Sequence, residues 1–297
     1  MTTMRCALSR AGLALPLLLA GCSLFPTTRH LPVPKAPALV ESATPQQLVA
    51  QLNQHWDALN NLTVTVEIQA TELKSSEGVE KDWPSARGYI ILAKPQMLRV
   101  YSTYFGVAIF DMASNGNDFT LVIPSKNLVI EGSNTVTEKS SNQLENLRPA
   151  FFFDAIAVRG LQPDESYMVS SDTATIEDPS KKHLFLEPEY VLSVMRQAPG
   201  DHGEFVAVRQ VTFHRDDMRP YEQNLYDAQG NLTTAISYGA YAKYDAGMYP
   251  SRVVIKRPME GIQLTLTVDR VQENVKHLPA DEFDVKIPEG ATVRKLK

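Results

Sequence analysis

The chain has 297 residues, of which 43% are hydrophobic and 21% charged, and its formal net charge is −5 at pH 7. This composition is close to the average of globular proteins, so it excludes a disordered or collagen-like chain. The negative charge argues against a nucleic-acid-binding protein, because no basic surface is available to neutralise phosphates. A single N-terminal apolar run excludes a polytopic membrane protein.

Residues 1–21 have the features of a cleaved lipoprotein signal peptide. Arg5 and Arg10 precede an apolar stretch that is shorter than the roughly 20 residues of a membrane span. It ends in Leu19-Ala20-Gly21-Cys22, which resembles the bacterial lipobox. There a cysteine receives a diacylglycerol on sulfur and, after cleavage, an N-acyl chain such as palmitate. We therefore expect lipidation at Cys22 and no other cofactor. An ordinary signal peptide with a chance cysteine is the alternative.

The residues after Cys22 bear on location. In the enterobacterial sorting pattern, Asp after the cysteine retains a lipoprotein in the inner membrane, whereas Ser23 stands here. The pattern therefore points to a lipid anchor in the outer membrane of a Gram-negative envelope, on its periplasmic face. Residues 22–43 contain four prolines and no helical or strand period, which predicts a flexible tether between the anchor and the folded part.

Residues 44–297 are predicted to form one domain that is mainly β with a few helices. Thr44-Pro45-Gln46-Gln47 has the N-cap, the first-turn proline and the capping box of a helix that runs to about residue 60. From Leu62 onward, apolar and polar residues alternate with the period of a strand. Further strands are predicted at about 86–93, 97–103, 107–114, 117–124, 127–132, 166–177, 183–195, 204–214, 220–228, 231–243, 250–257 and 261–272, with hairpin turns at Asn115-Gly116 and Asp227–Asn231.

Strands that follow one another at short spacing indicate an antiparallel sheet of about ten or more strands, and a sheet this wide must curl or close. The predicted fold is a curled antiparallel sheet, an unclosed half-barrel, with a helical lid. A capping box at Ser140–Gln143 begins a broken helical segment around 141–158, which restarts at Pro149 and stops near Gly160. Residues 149–158 are apolar on almost every side, so we predict that they plug the open mouth of the sheet. Plain core packing is the alternative. The lid residues are Phe151, Phe152, Phe153 and Ile156.

Motifs for catalysis and metal binding are missing from the sequence. No two of the six histidines have the spacing of metal ligands on one helix or strand. The nucleophile elbow, the Walker A loop and the dinucleotide glycine pattern are absent. Neither a catalytic residue nor a metal site is therefore expected, and an unrecognised hydrolase is the minority interpretation.

Four stretches carry a family resemblance. The run from Arg87 to Arg99, RGYIILAKPQMLR, resembles the early strands of the LolA/LolB lipoprotein-carrier superfamily, and the stretches from Tyr104 to Phe110 and from Asn115 to Pro124 continue the pattern. The stretch from Phe283 to Ala291 resembles the end of the same group, so the similarity spans roughly residues 45–290. The resemblance implies an unclosed β-barrel with a helical lid over an apolar cavity. In the family this cavity shelters acyl chains of lipoproteins in transit.

A lipid-anchored chain resembles LolB, the outer-membrane receptor of this superfamily, more than soluble LolA. The resemblance implies contact with outer-membrane lipid, acyl chains or lipoproteins as cargo, and a periplasmic carrier protein as partner. LolB uses an exposed leucine before a glycine to insert cargo, and the matching residues here are Phe105 and Gly106, next to Tyr104. Strand alternation stops before Phe105, which predicts an exposed turn, whereas folding back onto the core is the alternative. The alternative function is an envelope assembly or sensor module that binds a protein partner on the same fold.

Overall fold

The structure is a computed structural model that describes residues 40–74, 79–134, 148–177, 184–198, 203–279 and 281–296. The predicted signal peptide, Cys22, most of the predicted tether and the predicted capping box at Ser140–Gln143 lie outside the described residues. Pro37–Ala174 and Glu187–Lys297 form one compact unit, which contains the cavities and the exposed turn described below. Residues 1–36 and 175–186 belong to a second unit, of which only two strand ends are described.

The described chain contains two α-helices, 17 strands and a short 3-10 helix at Pro124–Lys126. In chain order the α-helices and strands are α1 (Pro45–Ala58), β1 (Asn61–Lys74), β2 (Val79–Asp82), β3 (Ala86–Ala93), β4 (Met97–Tyr104), β5 (Val107–Ser114), β6 (Asp118–Ile123), β7 (Leu128–Ser133), α2 (Pro149–Ile156), β8 (Glu165–Glu177), β9 (Leu184–Gln197), β10 (Phe205–His214), β11 (Pro220–Tyr226), β12 (Leu232–Tyr238), β13 (Tyr241–Tyr244), β14 (Gly247–Pro250), β15 (Arg252–Arg257), β16 (Ile262–Glu273) and β17 (Thr292–Lys295).

Fifteen of these strands form one sheet in the order β17-β7-β6-β5-β4-β3-β1-β16-β15-β12-β11-β10-β9-β8, with β2 paired to β1 beside this path. Neighbours from β7 to β9 run antiparallel. The path has two free ends and does not close into a barrel. The predicted fold class, a mainly β chain with an unclosed antiparallel sheet, is therefore confirmed.

The sheet is curled around α2. This helix contacts β4 and β15, which are four steps apart in the strand order. Neighbouring strands lie about 4.8 Å apart, so a flat sheet would separate β4 from β15 by about 19 Å. A helix is only about 10–12 Å across with its side chains, so it can contact both strands only where the sheet is concave.

Two apolar clusters form the core, and each helix covers one of them. Helix α1 has the predicted capping box at Thr44 and Gln47, and it buries Leu48, Val49 and Leu52. This face packs against β9 and β10 in the smaller cluster, whose members also include Leu192, Val194, Val211 and Phe213. Helix α2 packs into the larger cluster, which β1, β3–β7, β12, β15 and β16 share. The helices therefore cover different parts of the sheet.

Four details of the sequence prediction are wrong. The predicted strand 231–243 is two strands, because the chain leaves the sheet at Gly239 and reverses at Asp245-Ala246, so that β13 and β14 form a separate hairpin. Strands β2 and β17 were not predicted, since both are short and mostly polar and exposed. The sheet is not wholly antiparallel, because β17 runs parallel to β7. Helix α2 ends at Ile156 rather than near Gly160, because Ala157 is already extended.

Candidate functional site

Helix α2 covers the concave apolar face. Pro149 occupies its first turn, where a missing N–H costs nothing. Phe152, Ala155 and Ile156 are buried against the sheet, and Phe152 has no exposed surface. Phe151 and Phe153 are half-buried on the flanks of the helix. The structure thus brings the four predicted lid residues together on one helix, although only two of them face the sheet.

Aromatic contacts hold the flanks of α2. The ring of Phe153 packs edge-on against Trp56 of α1, with 6.2 Å between ring centroids. On the other flank, the guanidinium of Arg257 lies 3.6 Å from the ring centroid of Phe151, a cation–π contact with β15. Each flanking phenylalanine therefore has one identifiable partner outside the helix.

Polar contacts hold the C-terminal half of α2. The hydroxyl of Tyr249 on β14 donates a hydrogen bond of 2.6 Å to the carbonyl oxygen of Ile156. The side-chain amide of Gln223 on β11 donates one of 2.7 Å to the carbonyl oxygen of Asp154. These carbonyls belong to the last turn, where helical partners are missing, so the two side chains satisfy acceptors that would otherwise need water. The Asp154 carboxylate also pairs with Arg159 at 2.9 Å.

A cavity lies on each side of α2. The first has a volume of about 420 Å³ and is lined by Trp56, Lys94, Leu98 and Phe153, among others. The second has about 470 Å³ and is lined by Phe151 and by residues of β9–β12 and β15. Ala150, Asp154 and Arg159 line both cavities, so the helix forms the wall between them. Both volumes are within the range of about 300–1,000 Å³ that is usual for small-ligand pockets.

The second cavity contains buried arginine, which the sequence analysis did not identify. Arg209 on β10 is 2% exposed and donates hydrogen bonds to the carbonyl oxygens of Arg159, at 2.6 Å, and Gly160, at 3.3 Å. Burial, and then the nearby charge of Arg159, lower the pKa of Arg209 to about 10. Burial also lowers the pKa of Arg257. The wall of this cavity is therefore cationic as well as apolar.

The β4–β5 turn is a separate exposed feature. Phe105 and Gly106 form a two-residue turn with φ values of +47° and +79°, and the Phe105 side chain is 91% exposed. Tyr104 packs edge-on against Phe105 with 4.6 Å between ring centroids, and Val107 is 70% exposed. The predicted exposed position of Phe105 is confirmed. The turn is not part of the lining of either cavity at α2.

Other sequence features give no site in the described ranges. No group of three or more His, Cys, Asp or Glu side chains there could hold a metal ion. Neither described helix is both long and apolar enough to cross a membrane. His214 ends β10, where its ring stacks on Tyr221 at 3.8 Å and its Nδ1 lies 3.0 Å from a carboxylate oxygen of Glu187. This histidine is thus engaged within its own sheet.

Comparisons with known proteins show similarity of fold. No family model and no curated protein matches the chain. A DUF1329 family protein from Desulfovibrio piger matches at a TM-score of 0.51 with 13% identity, over 79% of this chain and 94% of that one. A LolA superfamily protein from Nitrosomonas europaea matches at 0.48 with 16% identity, over 82% and 99%. A domain named as an outer membrane lipoprotein-sorting protein, from Vibrio parahaemolyticus, matches at 0.49 with 11% identity, over 80% and 94%.

The likeness to the Desulfovibrio protein shows a shared fold and nothing about its function, because the identity is only 13%. The fold agrees with the LolA/LolB-like architecture that the sequence motifs imply, an unclosed half-barrel whose concave side is covered by a helix.

Proposed function

We propose that this chain is a non-enzymatic lipoprotein that binds lipid or lipidated cargo on the concave face of its half-barrel. Its anchor is the acylated Cys22 in the outer membrane, on the periplasmic side. Its role is lipoprotein localisation or envelope biogenesis, and its cargo comes from a periplasmic carrier protein. The motifs that resemble LolA/LolB carriers and the lipobox support this assignment.

One structural observation carries the proposal. An eight-residue, mostly apolar helix, α2, covers the concave apolar face and separates two cavities. Acyl chains are costly to expose to water, so a carrier needs an apolar surface that is covered when empty and available when loaded. Displacing α2 would join the two cavities and uncover the face that Phe152 and Ile156 now bury. The helix is therefore placed to act as the lid.

The β4–β5 turn supports contact with a membrane. Two-residue turns with positive φ at both positions favour Asn-Gly or Asp-Gly, and a bulky residue in the left-handed region costs of order 1–3 kcal/mol. Phe105 occupies that position at φ +47° and buries almost none of its ring. An exposed aromatic residue that is unfavourable for the backbone suits an interface with lipid, where aromatic rings settle at headgroup level.

Native mass spectrometry of the purified mature chain tests the proposal. We expect non-covalent acyl lipid to co-purify, and a fluorescent fatty acid to bind delipidated protein with saturation. A chain that is free of lipid and does not bind the fatty acid would contradict the carrier role. That result would favour the alternative in which the fold serves envelope assembly or sensing through a protein partner.

A further inference from the structure

The charges around the second cavity are unequally balanced. Four guanidinium groups line it, those of Arg159, Arg196, Arg209 and Arg257. Arg159 pairs with Asp154 at 2.9 Å, and Arg257 pairs with Glu260 at 2.9 Å. These two cations therefore have a close carboxylate each.

Arg209 is the least compensated of the four. Its nearest carboxylate oxygen belongs to Glu165, at 3.8 Å. Glu165 is itself shared, because it pairs with Arg196 at 3.0 Å and accepts a hydrogen bond of 2.9 Å from the backbone N–H of Gln162. Asp227, the remaining carboxylate of the lining, is engaged by Asn231 in the β11–β12 turn. A buried guanidinium thus depends on a distant and divided counter-charge.

Unused hydrogen-bond donors lie in the same place. Among the described residues, the buried Nε atoms of Arg209 and Arg257 have no hydrogen-bond partner. The Arg209 side chain is 2% exposed, so bulk water does not replace the missing acceptor. A buried donor that lacks an acceptor is costly, and guanidinium groups bind planar or tetrahedral oxyanions with particular strength. An oxygen-rich anion that reached these guanidinium groups would supply such an acceptor.

An apolar wall adjoins these cations. Phe151 of α2 lines the cavity together with Val206, Val208 and Leu225 on β10 and β11. A free inorganic anion has no apolar part that would pack against this wall. A molecule with an anionic head and a hydrocarbon tail uses both parts.

We infer that the second cavity binds an amphiphile with an oxyanion headgroup, phosphate or carboxylate, with the head at Arg209 and Arg257 and the tail along Phe151, Val206 and Val208. The inference rests on the proposed function, because it assigns a headgroup class to the lipid that the concave face holds. The inference also fixes the orientation of the ligand in the cavity. The head lies at the two guanidinium groups, and the tail lies along the apolar wall.

Calorimetric titration of the mature Cys22→Ser chain tests the inference with three probes: decyl phosphate, 1-decanol and inorganic phosphate. The first two share a tail and differ in the head, whereas the third is a head without a tail. We expect decyl phosphate to bind at least about tenfold more tightly than either of the others. Inorganic phosphate that binds as tightly as decyl phosphate would overturn the amphiphile assignment.

Two outcomes separate this inference from the proposed function. Equal binding of decyl phosphate and 1-decanol would overturn the headgroup site and leave the carrier role intact. Failure of both probes, and of the fluorescent fatty acid, would overturn both ideas.

Variants locate the site. Arg257→Gln should weaken decyl phosphate binding by about tenfold or more and 1-decanol binding by much less, whereas Arg257→Lys should retain part of the difference. Arg252→Gln on the same strand is the matched control, because Arg252 is exposed and is not part of the cavity lining. If Arg257→Gln binds decyl phosphate as the parent chain does, with its thermal unfolding unchanged, the site is not where we place it.

Discussion

Phe105 combines an unfavourable backbone conformation with an almost fully exposed ring. A residue that contributes so little to packing can be changed without loss of the fold. Phe105→Glu should therefore leave the thermal unfolding midpoint within about 2 °C of the parent, since surface substitutions rarely exceed about 0.5 kcal/mol. It should also reduce binding of the mature Cys22→Ser chain to liposomes in a flotation assay, because a carboxylate is costly at the lipid interface.

The control for this substitution is Met259→Glu. Met259 is also exposed, in the turn between β15 and β16, and belongs to no feature assigned to lipid contact. Equal loss of liposome binding in the two variants would show that charge alone, rather than the β4–β5 turn, governs the contact. A large fall in the unfolding midpoint of Phe105→Glu would mean that the ring packs on the core.

Phe152 represents the opposite case, an aromatic side chain with no exposed surface in the middle of α2. Truncation to alanine removes its contacts with the larger cluster and leaves a void. Phe152→Ala should lower the free energy of unfolding by about 3–5 kcal/mol, measured by urea denaturation. A much smaller loss, together with stronger fatty acid binding, would instead mean that α2 is loosely packed even without a ligand.

The inward position of Arg209 is a feature that could not be predicted from the sequence. The alternation in β10 places Val206 and Val208 on one face, and the next inward residue would be Gln210. A register shift between Ala207 and Arg209 changes the phase, so that Val208, Arg209 and Val211 all face inward regions. A bulge of this kind has no sequence signature in this strand. The cationic part of the cavity could therefore not be identified before the structure.

At the level of elements, strong periodicity and the residues of the turns were sufficient to predict the bounds of several helices and strands. The helix capped at Thr44, the strand 86–93 and the strand 107–114 have the predicted bounds or nearly so, because the capping box and the flanking turns define them. The β13–β14 hairpin was missed because its four-residue strands extend the alternation of β12 without an evident break. A tertiary contact distinguishes the hairpin from β12, since Tyr249 of β14 hydrogen-bonds to the end of α2.

The β13–β14 hairpin contacts the lid helix α2 through a hydrogen bond that a single substitution removes. Tyr249→Phe removes the hydrogen bond to the carbonyl of Ile156 and little else, at a cost of about 1 kcal/mol. Because that bond holds α2 down, its loss should raise the association rate of the fluorescent fatty acid by up to about fivefold in stopped-flow measurements. The folded core is unchanged, so the unfolding midpoint should fall only slightly.

Tyr244→Phe is the matched control on the same hairpin. Its hydroxyl donates to the carbonyl oxygen of Val268 on β16, at 3.3 Å, and not to α2. The control should lose comparable stability and bind the fatty acid at the parent rate. An equal rise in association rate for both variants would show that general loosening, and not release of the helix, admits the ligand.

For the whole molecule, the prediction concerns the anchor. Cys22→Ser should abolish incorporation of labelled palmitate and move the protein out of the detergent phase, because no other cysteine survives removal of residues 1–21. Stable anchoring needs two or more acyl chains, and the variant should carry none. The fraction of the variant in the detergent phase should therefore be negligible. Palmitate incorporation at the parent level would contradict the assignment of Cys22.

The pairing of β1 with β16 has a consequence for how the chain folds. These two long strands occupy the middle of the sheet, yet they come from opposite ends of the domain, and the contact between the backbone N–H of Asn60 and the side chain of Asn274 joins residues 214 positions apart. Such pairing carries a large loop-closure entropy and slows folding. A chain crossing a membrane from its N-terminus presents β1 long before β16. In the export that we propose, the edge of β1 that pairs with β16 therefore has no partner until residue 273 emerges, and aggregation or chaperone capture competes with folding during this interval.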